Sequence, residues 1–133
     1  MLRGQKYSDL VFKEVEAVSL SLDEKYRTKY KSLCKRAGGI FRTVGLLQFM
    51  AFIDAKGRKE KQYADLGEHL RSELCMLNLV TSSKLEPFLR ELRQAQLPEY
   101  MHLSRCVLDL LQWHKRISEI MIAGEADEYE GEG

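Results

Sequence analysis

Residues 102–121, HLSRCVLDLLQWHKRISEIM, decide the fold. Apolar side chains recur there at alternating spacings of three and four residues, at Leu103, Cys106, Leu110, Trp113, Ile117 and Ile120. This period of about 3.6 residues places them on one face of an α-helix. Pro98 is expected to open the helix, because proline is tolerated in a first turn, and the pattern extends to about Ala123. The stretch therefore predicts the longest helix of the chain.

The same period continues upstream of this helix. It predicts helices over about 5–19, 22–38, 40–56 and 60–78, and one that begins after Ser83. The first is expected to bury Val11, Val15, Val18 and Leu22. Serine followed three residues later by glutamate forms a capping box at Ser21 and at Ser83, and we expect each to start a helix. Gly38-Gly39 is expected to stop the second helix, since glycine readily adopts a left-handed conformation.

The helix over 40–56 is apolar nearly all round, which predicts a place at the centre of the molecule. Ile40, Val44, Leu47 and Ala51 share one face, and the rest is covered by Leu46, Phe49, Met50 and Ile53. No segment alternates with a period of two over a useful length. The predicted fold is therefore all-α, a compact bundle of about six helices.

Composition supports one folded domain. The chain has 133 residues, 44% apolar and 31% charged, and we expect the bundle to occupy residues 1–123. Residues 124–133 hold three glycines and the acids Glu125, Asp127, Glu128, Glu130 and Glu132. Such a segment buries little apolar surface, so we predict a disordered acidic tail. The tail either screens a basic region or only aids solubility.

The cysteines and the apolar runs indicate a cytoplasmic protein. Cys34, Cys75 and Cys106 are odd in number and scattered, which is a poor disulfide framework and is typical of buried free thiols. No apolar run approaches the ~20 residues that span a bilayer, and no secretory signal follows the basic first residues.

The formal charge of +1 hides an asymmetry between the two parts of the chain. Up to Gln62 there are fourteen Lys and Arg against seven Asp and Glu, whereas the remainder has seven against thirteen. No acid lies between Glu24 and Asp54. A local positive field attracts polyanions whatever the total charge. The alternative, a solvated helix face, is weakened because such faces usually interleave Glu with Lys.

The sequence predicts no enzyme, cofactor or metal. The sequence has no glycine-rich phosphate-binding motif. His102 and Cys106 are four residues apart and would supply only two metal ligands. His69 beside Glu68 resembles a base with its orienter, but no nucleophile accompanies them. His114 is expected to pack, or else to contact a phosphate.

Three stretches carry a resemblance to a known family. They are residues 30–36 (YKSLCKR), residues 40–52 (IFRTVGLLQFMAF), and Arg105 with residues 110–116 (LLQWHKR). In this order and spacing the chain resembles, from about residue 7 to 121, the small helical subunit of the type III-B (Cmr-type) CRISPR RNA-guided effector complex. Gly38-Gly39 and Val44 depart from the pattern, which has a proline and an asparagine there.

The resemblance implies a non-catalytic, helical subunit that stacks in several copies beside guide-RNA-coated backbone subunits. Its basic face would line the channel where target RNA pairs with the guide, while the backbone subunits cleave RNA. The implied RNA-binding positions are Lys31, Lys35, Arg36, Arg42, Arg105, Lys115 and Arg116. Gly45 and Gln48 match as packing or subunit-contact residues, and Trp113 as a core anchor. The implied partners are the other subunits, copies of the chain itself, and guide and target RNA.

Two alternatives stay open. One is a protein–protein adaptor that docks its basic helix on an acidic partner without contacting RNA. The other is a small enzyme that depends on His102 or Glu68. This alternative is disfavoured because the sequence has few residues arranged for catalysis.

Overall fold

The computed structural model describes residues 3–124, which form six α-helices and no strand. The helices are α1 (Arg3–Ser19), α2 (Glu24–Val44), α3 (Leu46–Gly57), α4 (Lys61–Met76), α5 (Leu85–Gln94) and α6 (Leu97–Met121). The predicted all-α bundle is confirmed. Within this range no helix is long and apolar enough to cross a membrane. The predicted acidic tail lies, after Gly124, outside the described residues.

The last helix organises the core, as its sequence period predicts. α6 packs against both α1 and α2, and α3 packs against α4. The α6 side chains buried in the core are Leu103, Cys106, Val107, Leu110, Leu111 and Ile117. Trp113 is only half-buried at the margin of the core. Ile120 was expected inside but is 82% exposed, because α6 ends at Met121 and the following Ile122 fills the core instead.

The junction between α2 and α3 lies at Gly45 and not at Gly38-Gly39. α2 runs through the glycine pair to Val44, so the predicted stop is wrong. Phe41, beyond the pair, is buried edge-on against Phe49 at 5.4 Å, and this packing outweighs the low helix propensity of glycine. Gly45 has φ 84° and ψ 173°, a conformation that side-chain-bearing residues rarely adopt. Its N–H donates to Phe41 and its carbonyl accepts from Phe49, so it ends one helix and starts the next.

Both predicted capping boxes are wrong in detail. The N-cap of α2 is Asp23, whose carboxylate accepts the Tyr26 N–H at 3.1 Å, while the Ser21 hydroxyl accepts the Asp23 N–H. Leu22, in this turn, is 100% exposed and not part of the α1 core face. α5 starts after Lys84, which makes no side-chain cap hydrogen bond.

The helix α3 is buried on one face only. Leu46, Phe49, Met50 and Ile53 form that face. Ala51 and Val44 are exposed, and Ile40 and Leu47 are half-buried, so a central position was predicted wrongly. The cysteines are free, with Cys34 and Cys106 buried as predicted and Cys75 half-buried.

Candidate nucleic-acid interface

A groove between α2 and α6 gathers basic side chains from both helices. Its cationic lining consists of Lys35 and Arg42 from α2 and Lys115 and Arg116 from α6. Lys35 and Arg42 are seven residues apart, which is two helical turns and hence one face. The groove encloses about 340 Å³, and the rest of its lining is Cys34, Gly38, Gly39, Leu111, Gln112 and Glu119. We call this feature the basic groove.

The electrostatic character of the basic groove is positive. The four cationic side chains are exposed to solvent, and the single carboxylate among the lining residues belongs to Glu119. No aromatic ring is among those lining residues. Arginine binds phosphate oxygens in pairs and lysine binds them as a point charge. The groove is therefore suited to a polyanionic backbone and not to stacked bases.

Lys31 lies at one end of the basic groove and has a different role. Its ammonium group donates to the carbonyl oxygen of Ile122 at 2.9 Å and also to that of Gly124. Both carbonyls follow the end of α6 at Met121. Lys31 therefore holds the end of α6 against α2.

The remaining two predicted positions lie outside the basic groove. Arg36 is half-buried, donates to the Tyr63 hydroxyl at 2.9 Å and lies 5.9 Å from the centre of that ring, so it faces α4. Arg105 is exposed on α6, eleven residues before Arg116 and thus on the same side of the helix, about 16 Å away. The structure thus brings four of the seven predicted residues together.

The matched motif residues have structural positions. Gly45 forms the break between α2 and α3, and Gln48 is exposed on α3. Trp113 was expected to be a core anchor and is half-buried, packed against the edge of the core. His102 Nε2 lies 3.8 Å from Cys106 Sγ. Among residues 3–124 no group of three or more His, Cys, Asp or Glu side chains is arranged to hold a metal ion.

A polar pair lies in the centre of the bundle and includes His114, which was expected to pack or else to contact a phosphate. Glu73 and His114 are both 0% exposed, and His114 Nε2 lies 2.7 Å from the Glu73 carboxylate. Burial alone would lower the pKa of His114, but Glu73 and the hydrogen bonds around the ring raise the pKa to about 10. His114 is therefore an imidazolium at neutral pH.

The pair continues into a chain of hydrogen bonds. The Tyr30 hydroxyl lies 3.4 Å from His114 Nδ1 and 2.8 Å from His69 Nδ1, and His69 Nε2 lies 3.2 Å from the Glu14 carboxylate. Burial and the nearby His114 cation lower the pKa of His69 to about 4. Burial and the Glu73 carboxylate raise the pKa of Glu14 to about 7.

These pKa shifts determine which group donates each hydrogen bond in this series. The His114 cation donates from both ring nitrogens, to Glu73 and to Tyr30. Tyr30 then donates to neutral His69, and His69 donates to Glu14. This series of hydrogen bonds links α1, α2, α4 and α6, and its inner members are buried from solvent. Its role is therefore to fix the packing of these helices. The sequence did not predict this series of hydrogen bonds, because its members are far apart along the polypeptide. The only signal was a tyrosine and a histidine on apolar helix faces.

Known proteins share this fold and sequence. The family model of a CRISPR-associated protein (Cas_Cmr5) matches residues 3–121. The CRISPR system Cmr subunit Cmr5 of Thermus thermophilus is 28% identical over 96 residues, which are 72% of this chain and 77% of that relative. The X-ray crystal structure of a CRISPR-associated Cmr5 family protein, also from Thermus thermophilus, superimposes with a TM-score of 0.76 at 24% identity, covering 92% of this chain and 100% of that one.

The family model matches nearly all of the described residues of this helical bundle. The fold and the match therefore define a CRISPR-associated protein. The chain belongs to the Cas_Cmr5 family. This confirms the resemblance inferred from residues 30–36, 40–52 and 110–116.

Proposed function

We propose that this chain is the non-catalytic small subunit of a Cmr-type, type III-B RNA-guided effector complex and that its basic groove contacts the backbone of guide or target RNA. Membership in the Cas_Cmr5 family and the name of the Thermus relative, a Cmr subunit, support the assembly. The observation that carries the RNA contact is the convergence of Lys35, Arg42, Lys115 and Arg116 on one groove.

The positive charge of the basic groove is suited to the RNA contact that such a subunit would make. A protein that holds any guide–target pair must contact phosphates and not base edges, because the sequence of the pair varies. Cations on two packed helices provide fixed phosphate contacts. One groove engages few charges, so affinity for RNA would arise from several copies acting in register.

Exposed apolar side chains support contact with further protein subunits. Leu20 and Leu22 lie in the turn between α1 and α2, and Leu97 and Met101 lie at the start of α6. Each is at least half exposed and therefore available to a neighbouring subunit. We propose that these neighbours include other subunits of the complex and copies of this chain.

Charge reversal in the groove tests the RNA contact. We expect the effector complex assembled with K35E/R42E to bind target RNA at least about tenfold more weakly than the wild-type complex. The slope of log Kd against log salt should fall by about one for each phosphate that the variant no longer binds. Filter binding or fluorescence anisotropy over a range of salt concentrations measures both effects.

The matched control is R90E/R93E, which reverses two exposed charges on α5, outside the groove. It changes the net charge by the same amount and should leave RNA binding unchanged. Undiminished RNA binding by an intact K35E/R42E complex would contradict the proposal. If assembly itself then proved salt-sensitive and resistant to nuclease, the groove would be a protein-docking surface, as in the adaptor alternative.

A further inference from the structure

A second basic cleft lies near the start of α2, outside the basic groove. It encloses about 240 Å³ and is lined by residues from the start of α2, from the loop between α3 and α4, and from the start of α4. Its cations are Lys25, Lys29, Lys59 and Lys61, and the rest of its lining is Asp23, Tyr26, Glu60 and Gln62. We call this feature the lysine cleft.

The two carboxylates in the lysine cleft are already bonded within the protein. The Asp23 carboxylate accepts the Tyr26 N–H at 3.1 Å, as the N-cap of α2. The Glu60 carboxylate lies 3.4 Å from the Lys56 ammonium group and accepts from the Gln62 amide at 3.2 Å. Both carboxylates therefore stabilise local structure and leave the lysines of the cleft to other partners.

Three of the four lysines are free to bind an external anion. Lys61 is the exception, because its ammonium group lies 2.9 Å from the Asp65 carboxylate and 4.0 Å from the centre of the Tyr26 ring. Within residues 3–124, Lys25, Lys29 and Lys59 form no ion pair. Three cations from two different elements thus converge on one concavity without a counter-charge.

The lysine cleft also accounts for the first cations of the run without acidic residues between Glu24 and Asp54. Three other members of that run bind groups of the bundle, namely Arg27 to the Ser21 carbonyl, Lys31 to the end of α6 and Arg36 to Tyr63. Lys35 and Arg42 line the basic groove. Lys25 and Lys29 complete the run, so its exposed cations are divided between the lysine cleft and the basic groove.

The two basic features lie along one side of α2. Lys25, Lys35 and Arg42 are exposed and fall within about 100° of one another around the helix axis, given about 100° per residue. From Lys25 to Arg42 the helix rises about 26 Å. No acidic residue of α2 follows Glu24. A polyanion laid along this side therefore meets cations from one end of α2 to the other.

A neighbouring acidic cleft limits the direction of that path. Tyr26 and Lys61 line both the lysine cleft and the cleft that contains Glu14, Asp65 and Glu68. Like charges repel, so a polyanion in the lysine cleft is disfavoured from continuing past Tyr26 toward α1 and α4. The charge distribution favours the path along α2 toward the basic groove.

We propose that the lysine cleft is a second contact for the RNA backbone and that one strand runs along α2 from this cleft to the basic groove. The inference rests on the proposed function and deepens it, because it extends the RNA contact of each copy beyond the groove. A path of about 26 Å corresponds to roughly seven or eight nucleotides at about 3.4 Å per nucleotide of a helical strand. Lysines bind phosphates as point charges, so the contact is independent of base sequence.

Removal of two lysines tests the contact. We expect an effector complex assembled with K25Q/K29Q to bind target RNA roughly three- to tenfold more weakly at low salt. The slope of log Kd against log salt should fall by about one for each phosphate that is no longer bound. The matched control K6Q/K13Q removes two exposed lysines of α1, outside both basic features, and should change neither quantity. Unchanged affinity and slope in an intact K25Q/K29Q complex would overturn the inference.

Ultraviolet crosslinking of the wild-type complex is a second measurement that does not depend on the assembly of a variant. We expect RNA-linked peptides that contain residues 25–29. Their absence from a complex whose groove peptides are linked would overturn the inference and leave the lysine cleft as a protein-docking surface. If K35E/R42E weakens RNA binding and K25Q/K29Q does not, the proposed function stands and this inference fails. If neither variant weakens it, both fail.

Discussion

At the residue scale, Glu73 and His114 form a fully buried polar pair between α4 and α6. Two charges removed from water pay a desolvation cost that their attraction offsets only when the geometry is good and the remaining polar groups are bonded. Here the two atoms are 2.7 Å apart and Tyr30 lies beside the second ring nitrogen, whereas the other carboxylate oxygen of Glu73, Oε1, is buried without a hydrogen-bond partner among the described residues. The pair therefore favours one alignment of α4 against α6 over alternatives that would leave a charge unpaired.

The stability of the protein should fall as the pH rises above neutrality. The folded pKa of His114, about 10, exceeds its ordinary value of 6.5, so the folded state keeps a proton that the unfolded chain releases. The contribution is complete below pH 6.5 and is lost as the pH rises through 10. We expect the free energy of unfolding to drop by about 1 kcal/mol or more between pH 7.5 and 9.5, measured by urea denaturation.

The control for this prediction is the variant E73Q/H114Q, which keeps the side-chain volumes and removes the titrating pair. Glu14 has a raised pKa of about 7 and His69 a lowered one of about 4, so neither changes charge greatly above pH 7.5. The slope with pH should be much smaller in the variant. An equal slope in the two proteins would assign the pH dependence to other groups.

The candidate site shows which residue roles are visible in sequence. Two of the four groove cations, Lys35 and Arg42, come from the stretch of α2 that lies in the gap without acidic residues between Glu24 and Asp54. Lys31 and Arg36 belong to the same run, yet they bind the end of α6 and Tyr63. The direction in which these two side chains point depends on which helix packs on each side of α2, and the local sequence does not contain that information.

At the element scale, the period of the apolar residues predicts the existence of each helix more accurately than it predicts the residue at which the helix ends. The predicted stripe of α6 is buried except at Ile120, which is exposed, and at Trp113, which is half-buried. Burial of a repeated face dominates the energy of a long helix. Helix ends depend on smaller terms, about 1 kcal/mol for a cap or a glycine, and tertiary contacts easily exceed these. The packing of Phe41 on Phe49 thus carries α2 through Gly38-Gly39.

Alanine at Gly39 and at Gly45 should change stability in opposite directions. Gly39 is exposed within α2 and a Cβ there meets nothing within 4 Å, so Gly39→Ala should stabilise the protein by about 0.5–1 kcal/mol. Gly45 has φ 84°, so Gly45→Ala should destabilise it by about 1–2 kcal/mol. Urea denaturation of both variants checks this, and a stabilising Gly45→Ala would contradict the helix junction described above.

At the scale of the whole molecule, a net charge of +1 conceals two surfaces of different character. The basic groove lies between α2 and α6, while the carboxylates Glu14, Asp65 and Glu68 line a cleft of about 330 Å³ beside α1 and α4. A local positive field at the groove attracts an anionic partner even when the total charge is small. The sequence predicted the all-α bundle and the charge asymmetry, but only the packing of the helices reveals the groove.

The most direct test of the central claim is crosslinking of RNA to this chain within the complex purified from its native host. The chain would be tagged, recovered with its partners after ultraviolet irradiation, and its RNA-linked peptides mapped by mass spectrometry. We predict that guide RNA and the other effector subunits are recovered and that the linked peptides contain residues 35–42 and 112–119, which border the basic groove. Recovery of the assembled complex with RNA linked to other subunits but never to these peptides would contradict the proposed RNA contact.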